Sequence, residues 1–279
     1  MRRILLLVLM ILSFDALGFK ATVTAPIFSP MAENIQGITQ TEDFWFISNQ
    51  YNIYRVPKNK RLVPKNFYPN IITDYPRIKI PRHLRDLGYN HFGGITIYKN
   101  FIVVALERIS PMKLLFFDIF TLEHMITYNV PSSLESLSWV ASNGEKIYFS
   151  QNRLDKSSPL YELSLEENTL VKTFIPAKIS RIQGGTISSG GKILFLASDQ
   201  GSRIGGIYSI NLKNLKVKHE IGIIYNRGFP AYQEIEGLTL NSSDHSGKIT
   251  LLLLDNNIVE DSFHFIEISD FKENSLKQI

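Results

Sequence analysis

The chain alternates between short apolar runs and short polar breaks. Phe44-Trp45-Phe46-Ile47, Phe101-Ile102-Val103-Val104-Ala105-Leu106, Ile147-Tyr148-Phe149, Ile193-Leu194-Phe195-Leu196 and Ile249-Thr250-Leu251-Leu252-Leu253-Leu254 are rich in β-branched and aromatic residues. They are bounded by turn-formers such as Asn143-Gly144, Ser189-Gly190-Gly191 and Asn256-Asn257. This patterning predicts strands throughout.

The runs form an internal repeat. A small polar or glycine-bearing step opens each unit: Ile35-Gln36-Gly37-Ile38, Phe92-Gly93-Gly94-Ile95, Leu134-Glu135-Ser136-Leu137, Ile182-Gln183-Gly184-Gly185 and Ile235-Glu236-Gly237-Leu238. Each is followed by a hydrophobic run ending near an acid or amide, and then by a second run. With Gly37, Gly94, Ser136, Gly185 and Gly237 as markers the spacings are 57, 42, 49 and 52, near the roughly 40 to 50 residues of a propeller blade. Further strands are predicted over Thr121 to Val130, Thr169 to Ile175 and Leu215 to Ile223.

Four antiparallel strands repeated about an axis make an all-β fold, a β-propeller, which leaves only short protected edges. Five four-stranded blades are predicted, near 33–90, 91–131, 132–180, 181–230 and 231–279. The last unit ends after its third strand, so Ala21-Thr22-Val23-Thr24-Ala25 is predicted to close the ring against Phe263 to Ile268. The alternatives are a β-sandwich, or a six-bladed ring with a degenerate blade in the long first spacing.

The N-terminus sets where the domain starts. Arg2-Arg3, the apolar run Ile4 to Phe14 and the exit Asp15-Ala16-Leu17-Gly18 read as a signal peptide over 1–18, leaving 19–279 as one exported domain. That run is well short of the roughly 20 apolar residues a span requires. A secreted or periplasmic monomer with no membrane span is expected. The 279 residues include no cysteine, which excludes disulfides, thiolate metal sites, cysteine nucleophiles and a lipidated cysteine. A net charge of +4 is too mild to argue for nucleic acid. The charge is uneven, however. Nine basic residues (Arg55, Lys58, Lys60, Arg61, Lys65, Arg77, Lys79, Arg82, Arg85) stand among five prolines with one acid, Asp74. This predicts an irregular excursion rather than a helix, either a solvated loop or one that binds an anion.

Propeller geometry brings the start of each innermost strand and the end of the next strand to one channel mouth. The first positions are Gln36, His91, Glu135, Gln183 and Glu236, with Glu234 just upstream. The second are Asn49, Glu107, Gln151, Asp199 and Asp255. The candidate ligand-binding set is Gln36, Asn49, His91, Glu107, Glu135, Gln183, Glu234 and Glu236. Carboxylates are hard oxygen donors suited to Ca²⁺ or Mg²⁺, so Glu135, Asp199, Glu236 and Asp255 are candidate metal ligands. The alternative is that they satisfy strand ends and ordered water. His91 is a candidate general base or a strand-capping residue. The other histidines lack paired spacing, and no HExxH, GxSxG or nucleotide-binding glycine motif is present.

With Gln36-Gly37-Ile38, His91-Phe92-Gly93-Gly94-Ile95 and Glu234-Ile235-Glu236-Gly237-Leu238, the chain resembles secreted propellers of the phytase-like and SdiA-regulated type, and its Glu-Gly-Leu element is similar to that of five-bladed calcium-activated nucleotidases. The resemblance implies carboxylate-held Ca²⁺ in the central channel, with Glu135, Asp199, Glu236 and Asp255 in comparable places and Gln36 and Gln183 where more acids would be wanted. Two functions are expected from this. One is an exported propeller that binds a small molecule, an anionic ligand or a protein at the mouth. The other is a calcium-dependent phosphoric-ester hydrolase.

Overall fold

A computed structural model describes residues 20–23, 27–28, 34–58, 75–107, 109–199, 204–224, 233–243, 248–257 and 262–272. Two short strands come first, β1 (Lys20–Val23) and β2 (Ile27–Phe28). Four four-stranded antiparallel sheets follow in chain order. The first holds β3 (Ile35–Gln40), β4 (Phe44–Asn49), β5 (Asn52–Pro57) and β6 (Arg77–Lys79); a short helix, α1 (Arg82–Asp86), then leads into the second. The second holds β7 (Phe92–Tyr98), β8 (Phe101–Leu106), β9 (Lys113–Asp118) and β10 (His124–Asn129). The third holds β11 (Ala141–Ser142), β12 (Ile147–Phe149), β13 (Pro159–Ser164) and β14 (Thr169–Phe174), and the fourth β15 (Ile182–Ile187), β16 (Ile193–Ser198), β17 (Ile204–Asn211) and β18 (Val217–Ile224). A last sheet combines β19 (Gln233–Ser243), β20 (Lys248–Asn257) and β21 (Ser262–Lys272) with β1 and β2, both paired to β21.

The first strand of each sheet touches its counterparts in the neighbouring sheets. β3 meets β7, β7 meets β11, β11 meets β15, β15 meets β19, and β19 returns to β3. The fold is an all-β propeller. The expectation of five four-stranded blades is corrected in one respect: four blades have that make-up, and the closing sheet is a five-stranded composite of both ends of the chain. β1 pairs Ala21 with Ile268 and Val23 with Ile266, while β2 pairs Ile27 with Phe263. The latch therefore consists of two short strands, and residues 24–26 between them lie outside the described residues.

Burial explains why these runs are strands at these depths. Every residue of β16 is buried, and only Phe101 of β8 is partly exposed, because second strands are covered on both faces. The outer strand β14 has only exposed and half-buried positions. The core accordingly lies between sheets. Phe46, Ile53 and Ile78 of the first pack with Phe92, Val104 and Phe117 of the second, and Val103, Leu114 and Phe116 pack with Phe149, Tyr161 and Leu163 of the third. At the axis the backbones themselves meet. A β-carbon on Gly184 would lie 2.6 Å from the backbone nitrogen of Leu238, and one on Gly237 would lie 3.0 Å from Cα of Gly37. Side chains there would force neighbouring strands apart.

Three local expectations are corrected. Pro81 precedes a real helical turn at α1, whose Leu84 is buried with Ile78 and Phe117. Asn256-Asn257 ends β20 and is not a turn. The third unit does not begin its inner strand near Glu135: residues 131–140 are irregular, and β11 is only two residues long. The physical reason is the missing glycine. The third unit carries Ser136, Ser138 and Trp139 where other units carry glycine, and the fully buried Trp139 occupies the space, its ring against Gly185 and its Cα 3.0 Å from where a β-carbon on Gly94 would sit.

Candidate functional site

One backbone device recurs at the mouth. The ladder between first and second strands skips a residue between Ile35 and Gly37, between Ile182 and Gly184, and between Ile235 and Gly237. The second strand pair shows the same irregularity between Phe92 and Ile95. The skipped residues are Gln36, Gln183 and Glu236, so a β-bulge frees a polar residue from the ladder in three different sheets. A bulge re-aims its side chain and bends its strand. Periodicity alone could not reveal this, because a bulge breaks the two-residue period at the residue concerned.

On one side of the mouth stand amides and an imidazole. His91 is 2% exposed, and its Nε2 stands 3.0 Å from Oε1 of Gln36. Gln36 Nε2 donates to the Ile35 carbonyl at 3.1 Å, so Oε1 accepts and His91 Nε2 is the donor. An imidazole committed in this way positions its neighbour. Phe92, which follows it, donates its backbone N–H to the Gln50 carbonyl. Asn49 is buried and caps the next turn by accepting from the backbone of Tyr51 and Asn52 at 3.0 and 2.7 Å. Gln183 is half-buried at its bulge.

The other side is charged. Arg181, immediately before β15, donates Nε to Oδ1 of Asp199 at 2.6 Å and Nη2 to Oδ2 at 2.9 Å. Nη2 also reaches Oε1 of Glu234 at 3.2 Å. The Asp199 side chain is fully buried whereas that of Arg181 is 43% exposed, so the guanidinium covers the acid. Glu236 is 3% exposed, two residues along β19 from Glu234. Burial, and then the negative charges of Glu234, Glu107 and Asp199, push the Glu236 carboxyl well above the usual carboxylate range. Glu107 belongs to this group electrostatically, and its carboxylate lies where a β-carbon on Gly93 would go. Gly93 is thus the vacancy that admits Glu107.

Sequence reasoning did not find Arg181. The available signal was a lone cation directly before an inner strand, across from an acid at the end of the next strand. It also missed the serines that tie sheets together, Ser48 Oγ to the Gly93 carbonyl at 2.9 Å and Ser138 Oγ to the Ile182 carbonyl at 2.6 Å. Of the expected residues, Gln36, His91, Glu107, Asp199, Glu234 and Glu236 are brought into two neighbouring groups. Glu135 is exposed in the irregular segment, and Asp255 stands opposite Ile235 with its side chain outside the described residues.

The donor set for Ca²⁺ was tested on this geometry. Both oxygens of Asp199 are engaged by a guanidinium, and Glu135 stands apart. Among the described residues, which leave out the Asp255 side chain, no three histidine, aspartate or glutamate side chains are placed to hold a metal ion. The described donors do not assemble a calcium centre.

The basic excursion runs between the two faces. β5 leads away from the mouth, since Ile53 pairs Ser48 and Pro57 pairs Phe44. Lys58 and Tyr75 therefore lie toward the opposite face, on either side of residues 59–74, which lie outside the described residues, whereas β6 returns toward the mouth with Lys79 opposite Asn52. Arg55 there donates to the Phe120 carbonyl at 2.8 Å, and Lys58 sits over the Trp45 ring.

No protein-family model matches the chain, and no curated protein matches it in sequence. Among solved structures it is similar to Kuenenia stuttgartiensis hydrazine synthase, at 13% identity and a TM-score of 0.49, over 82% of this chain and 57% of that one. It is similar to a chain of a nidogen/laminin complex at 14% identity and a TM-score of 0.49, over 78% and 75%. Against the tricorn protease the figures are 10% and 0.42, over 82% and 20%. The chain therefore spans little more than half of the first and a fifth of the last. Likeness this distant says nothing about chemistry, and the fold stands on its own strand order. Among the described residues no helix is long and apolar enough to cross a membrane.

Proposed function

We propose that the chain is an exported β-propeller that binds a small molecule, or a projecting group of a partner protein, over its channel mouth. One observation carries the reading: three different sheets use the same β-bulge to take a polar residue (Gln36, Gln183, Glu236) out of the ladder at one end of the axis. A purely structural axis has no need to spend ladder hydrogen bonds there in three separate sheets. The chemistry of the groups narrows the ligand. Glu107, Asp199, Glu234 and Glu236 outnumber Arg181, and amide groups stand beside them. This surplus of acceptors favours ligands rich in hydroxyl or amine groups and repels anions.

The test is a thermal-shift screen of the protein against polyols and sugars, di- and polyamines, and phosphate or carboxylate compounds, with Glu107→Gln and Gln183→Ala as controls. A hit among polyols or amines that both variants weaken supports the reading. Hits confined to anions, or hits that neither variant changes, would overturn it. Edman sequencing of exported protein should begin near residue 19; export with residues 1–18 still attached would contradict the cleavable leader.

A further inference from the structure

We propose that the outer wall of the ring, where the first and second blades meet, docks on a bilayer surface rich in anionic lipid. Charge carries half of this. Arg77 and Lys79 of β6 and Arg82 and Arg85 of α1 are all exposed, and no acid stands between Tyr75 and Arg85. That one stretch accounts for the net charge of +4, because 26 acidic residues and an equal number of basic ones lie outside it. Among the described residues the one ion pair that any of these four cations makes is the 3.8 Å contact of Arg82 with Asp86, and both side chains are exposed. Such a pair binds weakly and leaves the cation available.

Apolar side chains carry the other half. Among the described residues seven large hydrophobic side chains are exposed, and four of them border these cations: Leu87 directly after α1, Phe120 between β9 and β10, and Met125 and Ile126 of β10. Their exposure runs from 40% to 72%. Contacts across the seam hold the two sets side by side. The Arg55 backbone N–H donates to the Pro76 carbonyl at 3.0 Å, and its guanidinium to the Phe120 carbonyl at 2.8 Å. The ring of His83 in α1 lies 5.8 Å from that of His124 in β10. Beneath them Ile78, Leu84 and Phe117 share one core cluster. A single exposed hydrophobic residue is ordinary, but a group of them rimmed by cations marks an interaction surface.

Two features select a bilayer as the occupant. A soluble polyanion needs cations alone and has no use for Phe120, Met125 and Ile126. A partner protein that added a strand to β10 would need a regular edge, but Met125 is bulged out of the ladder between His124, opposite Phe117, and Ile126, opposite Phe116. A bulge blunts an edge strand, and here it also exposes two consecutive apolar side chains. The exposed acids Asp86 and Glu123 flank the surface and moderate its charge, so binding needs both signals: cations against headgroups and apolar side chains in the interface. β6 and β10 are the outermost strands of their sheets, so docking there leaves the channel mouth open. The proposal does not rest on the ligand-binding reading.

The experiment is co-sedimentation of the protein with vesicles of phosphatidylcholine alone, and of phosphatidylcholine with about one-third phosphatidylglycerol, at about 0.1 M and about 1 M salt. Binding is expected to the anionic vesicles and to fall at high salt. The double variant Arg77→Gln, Lys79→Gln should weaken it about tenfold or more. The double variant Met125→Ser, Ile126→Ser should weaken it about fivefold or more while binding soluble polyphosphate as the wild type does. All forms share one N-terminus, so the apolar run Ile4 to Phe14 cannot account for a difference between them. Equal binding to neutral and anionic vesicles, or full binding by either variant, would overturn the proposal. So would polyphosphate bound as tightly as the vesicles, which would make the wall a polyanion site. If melting shows that a variant does not fold, Phe120→Ser replaces the apolar one and Arg82→Gln with Arg85→Gln the cationic one, with the same outcomes deciding.

Discussion

The second blade and the closing sheet present acids to the same mouth by different routes. The second blade is a local meander from Phe92 to Asn129, and its Glu107 follows directly from a tight hairpin. The closing sheet carries Glu234 and Glu236, but its outer edge is supplied by β1 and β2 from the other end of the chain. A site residue in the second blade is thus placed by its neighbours in sequence. One in the closing sheet lies on β19, in a sheet whose outer edge is complete only when β1 and β2 have paired with β21. That share of the mouth therefore depends on the latch for the far edge of its sheet.

The largest effect should come from cutting that dependence. Removing residues 19–31 leaves β21 as an open edge, and melting should fall by about 10 °C or more, with light scattering showing aggregation. Removal without a change in melting would mean that β1 and β2 do not hold the ring. Next is Gly184→Ala, at the seam between the fourth blade and the closing sheet. The new methyl would meet the Leu238 backbone at 2.6 Å, a group that cannot swing away. Urea denaturation should show a loss of about 2–3 kcal/mol. Asp199→Asn keeps the shape and removes the charge that holds Arg181 within the fourth blade, from where it reaches Glu234 across the same seam, for a loss of about 1–2 kcal/mol. The smallest effect on stability is expected within the second blade. In Gly93→Ala the methyl meets the tip of the Glu107 side chain, which can swing away, and the Ser138 carbonyl oxygen only at 3.1 Å, so stability should fall by less than about 1 kcal/mol while Glu107 is displaced and ligand shifts at the mouth diminish. If Gly93→Ala proves as costly as Gly184→Ala, the distinction between a local and a ring-dependent half is wrong.

Strands and repeat were legible because each unit writes its hydrophobic runs in full: Phe101 to Leu106 and Ile193 to Ser198 read as strands and are strands. The polar openings of the units were legible for the same reason, and Gln36, Gln183 and Glu236 among them are the residues that the ladders skip. What was hidden depends on three-dimensional neighbours. Arg181 gains its meaning from Asp199, which is distant in sequence, and from Glu234, which is more distant still. The acids looked like a metal set because sequence shows donors without showing which of them a guanidinium has already claimed. The third unit misled for a related reason. Its rhythm is intact through Leu134-Glu135-Ser136-Leu137, but the chain there approaches Gly94 through Ser138 and Trp139 without forming a ladder, and the regular strand β11 begins only at Ala141.

The pairing of Lys20 with Ser269 has a temporal consequence as well as a spatial one. Each of the four blades needs only hairpins, which close in microseconds, whereas the latch must gather a loop nearly as long as the whole domain. Because loop-closure entropy rises only slowly with length, the latch is inexpensive at equilibrium but late in time. Blades therefore form first and the ring shuts last, with β21 the last strand to gain its partners. Until then, the exposed edge of β21 can take its missing strands from a second chain just as well as from its own. At high concentration, folding should divide between closed rings and pairs of rings that have exchanged their N-terminal strands.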